Sequence, residues 1–288
     1  MLGCNGLFYH PTGREYDRPE RLRLTYESVF FSTANGLRLH GWFFPAVGPA
    51  AGTVLHIHGN AGNVTAHFHQ VRWLPEADWN VLCFDYRGYG RSQGRISREG
   101  SIADTHAALD YLLARPDVDR ERIVAFGQSL GGAIGIVLAA ERTDLRGLAV
   151  DGAFHHYRDI ARYHIRHNPL LFVTAWWVPP LLMTDGYDPI DYVARISPRP
   201  LLVMHGKADR IVPAFMGEKL HAAAREPKEL WLIDGVDHYQ ALEELADVTR
   251  PRLLRFFRKC LDSPTSAGSA PAPDGQVPPD RPPTAGAP

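Results

Sequence analysis

The sequence predicts an α/β fold built on a mostly parallel sheet. Three observations predict it. The chain has 288 residues with 45% hydrophobic content, enough to bury a real core. Short apolar runs recur along it, too short for helices and suited to strands buried on both faces. Segments with helical apolar spacing separate those runs, and strand–helix alternation is the signature of a parallel sheet.

The elements follow in order. "TYESVFF" (residues 25–31) and "LRLHGWFF" (37–44) read as two strands joined at Asn35-Gly36, a hairpin signal. "GTVLHIH" from Gly52, "NVLCFDY" from Asn80, "RIVAFG" from Arg122, "RGLAVDG" from Arg146, "PLLVMHG" from Pro200 and "ELWLID" from Glu229 read as the remaining strands. Helices are expected over 101–113, stopping before Pro116, over 129–140, over 213–224 with Pro213 at the first turn, and over 240–261. Residues 152–198 are too long for a plain connection and read as a lid inserted between two strands. Residues 263–288 are Pro, Ala, Gly and Ser with little to bury, and are expected to be a disordered tail. The domain proper is thus 25–262, after an N-terminal extension at 1–24.

Composition excludes several function classes. A formal net charge of −1 provides no field for nucleic acid or anionic membranes. Three cysteines, Cys4, Cys83 and Cys260, do not read as a disulfide framework, and Cys83 sits in an apolar run as a small core residue. The best apolar run, residues 170–182, falls short of the roughly 18–20 residues a bilayer span needs and holds two prolines. The expected compartment is cytoplasmic. The alternative comes from the opening "MLGCN", which looks like the end of a lipoprotein cleavage site with Cys4 lipidated. It requires a true start upstream of Met1, and it is the one route to a membrane.

Working residues in such sheets sit at the carboxyl ends of strands. Gly127-Gln128-Ser129-Leu130-Gly131 matches G-x-S-x-G between a strand and a helix. There the serine projects from a sharp turn, glycines leave room for the flanking strand and helix, and the helix start faces developing negative charge. A serine needs a base. Asp209 in "VMHGKADRIVP" and His238 in "LIDGVDHYQ" follow the next strands in the order serine, acid, histidine. His238 is the expected base and Asp209 the group that orients it. Asp151 is the runner-up acid, and Asp237 reads as a loop cap. The expected oxyanion donors are the amides of Leu130 and Asn60, the latter in "HGNAGN" with Ala61 second. His58 reads as structural. His67 with His69, and His164 with His167, lack a carboxylate or cysteine set, so no metal is expected. Phe154, Phe172, Trp176, Trp177, Leu181 and Leu182 are candidate walls of an acyl pocket, with core packing the equal alternative.

"HIHGNAGN", "FDYRGYGRSQG", "FGQSLGGA", "HGKADRIVP" and "GVDHY" together resemble the α/β-hydrolase superfamily in its serine-hydrolase form, over residues 26–261. The nearest likeness is the small-lid group of depalmitoylating thioesterases and bacterial serine aminopeptidase-like relatives. The resemblance implies an eight-stranded sheet with an antiparallel second strand, no cofactor, Ser129, Asp209 and His238 on the triad, and Asn60 and Leu130 on the oxyanion positions. Membrane-bound depalmitoylases carry an N-terminal cysteine cluster. Here Cys4 stands alone, and stable anchoring takes two signals. The expected activity is cleavage of an ester or thioester of a small acyl substrate through an acyl-enzyme. The alternatives are amide cleavage in small peptides, or a non-catalytic binding protein on the same fold.

Overall fold

A computed structural model describes residues 9–167, 174 and 186–263. Eight strands form the central sheet: β1 (Glu27–Ser32), β2 (Arg38–Phe44), β3 (Gly52–Ile57), β4 (Trp79–Phe84), β5 (Ile123–Gln128), β6 (Leu148–Asp151), β7 (Leu201–Gly206) and β8 (Lys228–Ile233). Their spatial order is β1-β2-β4-β3-β5-β6-β7-β8. β2 runs antiparallel to both neighbours, as the family resemblance implies, and every pair from β4 to β8 is parallel. The β1–β2 turn places Gly36 at φ 81, a region open to glycine at little cost.

The apolar runs become strands for the reason their composition states. Every residue of β3 through β7 is buried, so both faces must be apolar. One face packs Leu109, Ile134 and Leu220, and the other Phe68, Leu253 and Phe257. These come from helices α1 (Arg98–Ala114), α2 (Leu130–Glu141), α4 (Ala214–Ala223) and α5 (Ala246–Asp262), and from a short turn at Phe68–Gln70. α3 (Tyr157–Arg166) lies in the predicted lid stretch.

Most elements shift by a residue or two from their expected bounds, and two larger differences have a local cause. α1 begins at Arg98 rather than 101, because the Ser97 hydroxyl accepts the Gly100 amide at 3.0 Å and caps it. The single helix expected over 240–261 is two, Ala241–Glu244 and α5, broken at Leu245. The Thr249 hydroxyl bridges the break, donating to the carbonyls of Ala241 and Leu245.

One feature of the topology matters most for the site. β3 has β4 on one side and β5 on the other, so the loops leaving β3 and β5 open a crevice at their carboxyl ends. Arg87, beyond β4, is tied to buried Asp104 on α1 by a bidentate pair at 2.7–3.0 Å. Among the described residues, no helix is long and apolar enough to cross a membrane.

Candidate active site

Ser129 sits between β5 and α2 with φ 50 and ψ −113. A non-glycine residue there costs roughly 1–3 kcal/mol and persists only where its surroundings impose it. The surroundings are the flanking glycines. A Cβ on Gly127 would lie 2.4 Å from the Gly131 carbonyl oxygen, and one on Gly131 would lie 1.9 Å from that of Ile57. The turn therefore closes only with glycine at both positions. The Ser129 amide donates to the Asp151 carbonyl at 2.9 Å, and its carbonyl accepts from Ala133 at 3.1 Å. Leu130 is the first residue of α2, so its amide has no carbonyl one turn back within the helix and lies at the positive end of the helix dipole.

Asp209 and His238 meet across the loops after β7 and β8. The His238 Nδ1–H donates to Asp209 Oδ2 at 2.6 Å. Asp209 Oδ1 accepts the amides of Ile211 and Val212 at 2.9 and 2.8 Å, which fixes the carboxylate plane. Burial pushes the Asp209 carboxyl up, but His205, His238 and the Val212 amide overcome it and hold the group well below the usual carboxylate range. It stays ionised. With Nδ1 occupied, Nε2 is the His238 nitrogen left to take a proton.

Asp151, the competing acid, is buried and its carboxyl is pushed the opposite way, raised by burial against the charges of His238 and His205. Its Oδ2 lies 3.5 Å from the Gln128 amide nitrogen. Asp237 does more than cap its own loop. It accepts the amides of Arg210 and His238 and pairs with the Arg210 guanidinium at 2.6–2.8 Å, clamping the two loops together.

In the loop after β3, the Asn60 side chain is turned away from solvent duty. Its Oδ1 accepts from the His10 amide at 3.1 Å and the Tyr89 hydroxyl at 3.0 Å. His58 is structural as expected. It is buried, its Nδ1 bonds the Gly59 carbonyl at 2.7 Å, and burial keeps it neutral.

Phe154 is buried in the core and packs edge-on to Tyr157 at 4.8 Å. Phe172, Trp176, Trp177, Leu181 and Leu182 lie outside the described residues, as does Cys4. Beside α3, a groove of about 560 Å³ lies between Asp159, Arg162 and Arg166 on one side and Phe215 and Lys219 on the other. None of Ser129, Asp209 and His238 lines it.

Three participants escaped sequence reasoning. Gly152, at φ 60, floors the acid–histidine pair: a Cβ there would meet His238 at 3.1 Å and Asp209 Oδ2 at 3.3 Å. Its position just after β6 was the available signal. Tyr239, at φ 65, turns its hydroxyl to Ser129. The third is the N-terminal segment. His10–Pro11 pairs in parallel with Ala61–Gly62, and the buried Asn63 amide group donates to the carbonyls of Thr12 and Arg14 at 2.8 and 2.7 Å. Residues 9–16 thus brace the loop that carries Asn60.

Comparison with known proteins agrees with this architecture. Residues 48–195 match the family described as serine aminopeptidase, S33. The uncharacterized protein YfhR of Escherichia coli K12 is 38% identical over 262 residues, covering 88% of this chain and 87% of its own. The α/β hydrolase domain-containing protein WAV2 of Arabidopsis thaliana is 36% identical over 225 residues, covering 73% and 71%. The structure of an esterase from Pyrococcus furiosus superposes with a TM-score of 0.74 at 21% identity, covering 88% of this chain and 98% of that one, a likeness of fold.

Proposed function

Because the chain belongs to the serine aminopeptidase family of α/β hydrolases, we propose that it is a serine hydrolase working through an acyl-enzyme, with Ser129, His238 and Asp209 as its triad. The observation that carries this is the 2.6 Å bond between His238 Nδ1 and an ionised, immobilised Asp209 on the sheet edge that also holds the strained Ser129 turn. Binding alone requires neither the strain nor the pair.

In this reading the Ser129 hydroxyl gives its proton to His238 Nε2 as the oxygen attacks a carbonyl carbon. The carbonyl oxygen gains charge and is met by the amides of Leu130 and Asn60, each such donor lowering the barrier by about 3 kcal/mol. His238 then protonates the leaving group. A water, giving its proton to the same nitrogen, attacks the acyl carbon and releases the acid and the serine. Asp209 keeps the imidazole in one tautomer and balances its charge in both halves.

An ester or thioester is the substrate class proposed first, supported by the esterase among the structural relatives. A small-peptide amide is the second reading, supported by the family description. The test is labelling with a fluorophosphonate, wild type against Ser129→Ala, followed by turnover of p-nitrophenyl esters, acyl thioesters and aminoacyl amides. The expected result is labelling of wild type alone, with ester or thioester turnover above amide turnover. A folded wild type that neither labels nor turns over any substrate overturns the reading in favour of a binding protein.

A further inference from the structure

We propose that the Tyr239 side chain is a further catalytic group, its hydroxyl a third donor to the oxyanion beside the amides of Leu130 and Asn60. The proposal rests on the serine-hydrolase reading of the same site.

The geometry begins with the backbone. Tyr239 stands at φ 65, a conformation unusual for a bulky residue and informative where it occurs. That kink sends the side chain of residue 239 back into the crevice beside its neighbour, with the His238 and Tyr239 rings 4.0 Å apart. The hydroxyl ends in a specific place. It rests against the α-carbon of Gly59 so closely that a Cβ on that glycine would lie 1.9 Å from it. Gly59 immediately precedes Asn60. On its other side the hydroxyl faces Ser129. An O–H group held between the nucleophile and the loop bearing one amide donor stands where the carbonyl oxygen of a bound acyl group gains its charge.

The surroundings keep it there and keep it a donor. The ring of His67 meets that of Tyr239 edge-on at 6.1 Å, and His67 is itself anchored by a 2.6 Å contact with the Ala61 carbonyl. Burial raises the phenol well above its ordinary range, against the effect of Ser129, so it remains protonated at any working pH. At rest the hydroxyl addresses Ser129. When the tetrahedral intermediate forms, the same O–H turns to the new oxyanion without giving up its proton. No bond to Tyr239 forms or breaks. The arrangement also explains why residue 59 is glycine: the tyrosine hydroxyl fills the space a side chain would need.

Tyr239→Phe keeps the ring and removes only the hydroxyl. The expected result is an unchanged melting temperature and KM, kcat for a p-nitrophenyl ester lowered about 10²–10³-fold, and affinity for a trifluoromethyl ketone lowered by the same factor as kcat/KM. The pH profile should keep its shape. An unchanged kcat overturns the proposal, as does a rise in KM alone, which would make the residue a pocket wall. A fall in kcat with unchanged ketone affinity also overturns it, assigning a merely structural role. Ser129→Ala, run alongside, separates this failure from failure of the parent reading. If Ser129→Ala keeps full turnover the serine mechanism falls. If it is inactive while Tyr239→Phe is normal, only the tyrosine's role falls.

Discussion

At the scale of single residues, two carboxyls of the candidate site are pushed in opposite directions. Asp151 is raised by burial, and Asp209 is lowered because hydrogen bonds outweigh burial. Asp209→Asn keeps the shape but loses the charge that holds the imidazole tautomer, and kcat should fall about 10⁴-fold. The same shift predicts a stability effect. A carboxyl whose folded pKa lies below its unfolded value stabilises the fold above the unfolded value, about 3.9, and this is lost as pH falls through the folded pKa. Wild type should therefore melt above Asp209→Asn near neutrality, with the gap narrowing below about pH 4. Thermal melts of both proteins across that range check the sign, and a gap that widens toward acid would contradict it.

At the scale of elements, the turn from β5 into α2 is decided by what its glycines cannot carry. Gly131→Ala drives a methyl into the Ile57 carbonyl at 1.9 Å, where backbone must move. Overpacking of this kind costs about 1–3 kcal/mol, and it should also slow fluorophosphonate labelling by displacing Ser129. Gly135→Ala, one turn on in the same helix, meets only the tips of Ile57 and Leu148 at 3.2 and 3.3 Å. There alanine's better helix propensity, about 1 kcal/mol, should leave stability unchanged or improved. Urea denaturation of both variants makes the comparison. The G-x-S-x-G spacing announced this turn in the sequence because part of its constraint is local: Gly127 and Gly131, four apart across one strand–helix junction, must clear each other, while Gly131 must also clear the Ile57 carbonyl of β3.

At the scale of the whole molecule, a segment remote in the chain braces the crevice. Residues 9–16, read from sequence as a mere extension, brace the Asn60 loop through buried Asn63. Asn63→Ala removes the donor to two carbonyls and the cap of the Thr65 amide. It should cost about 1–3 kcal/mol and lower kcat/KM, while Asp209 and His238 stay paired. Melting temperature and ester kinetics on that one variant test both parts. Buried Arg98 lies over the Tyr157 ring at 3.8 Å and donates to the Gly186 carbonyl at 2.7 Å. It joins the start of α1 to both described edges of the lid stretch.

The amino-acid order alone was enough for the alternation of strands and helices, the antiparallel second strand through family likeness, the serine turn, and the order of serine, acid and histidine along the strand ends. Apart from that strand's direction, which the resemblance implied, each of these is written in spacing, in apolar periodicity or in a run of neighbouring residues. Tertiary structure alone decided that Asp209 rather than Asp151 bonds His238, that Asp237 clamps two loops, that Gly152 floors the pair, that Tyr239 enters the crevice beside Ser129, and that the N-terminal segment braces the loop after β3. These contacts join residues far apart in the chain, or turn on the direction one side chain takes from a strained backbone. Neither is set by local propensity. Both follow from how the strands' carboxyl ends are packed side by side, which no stretch of sequence states by itself.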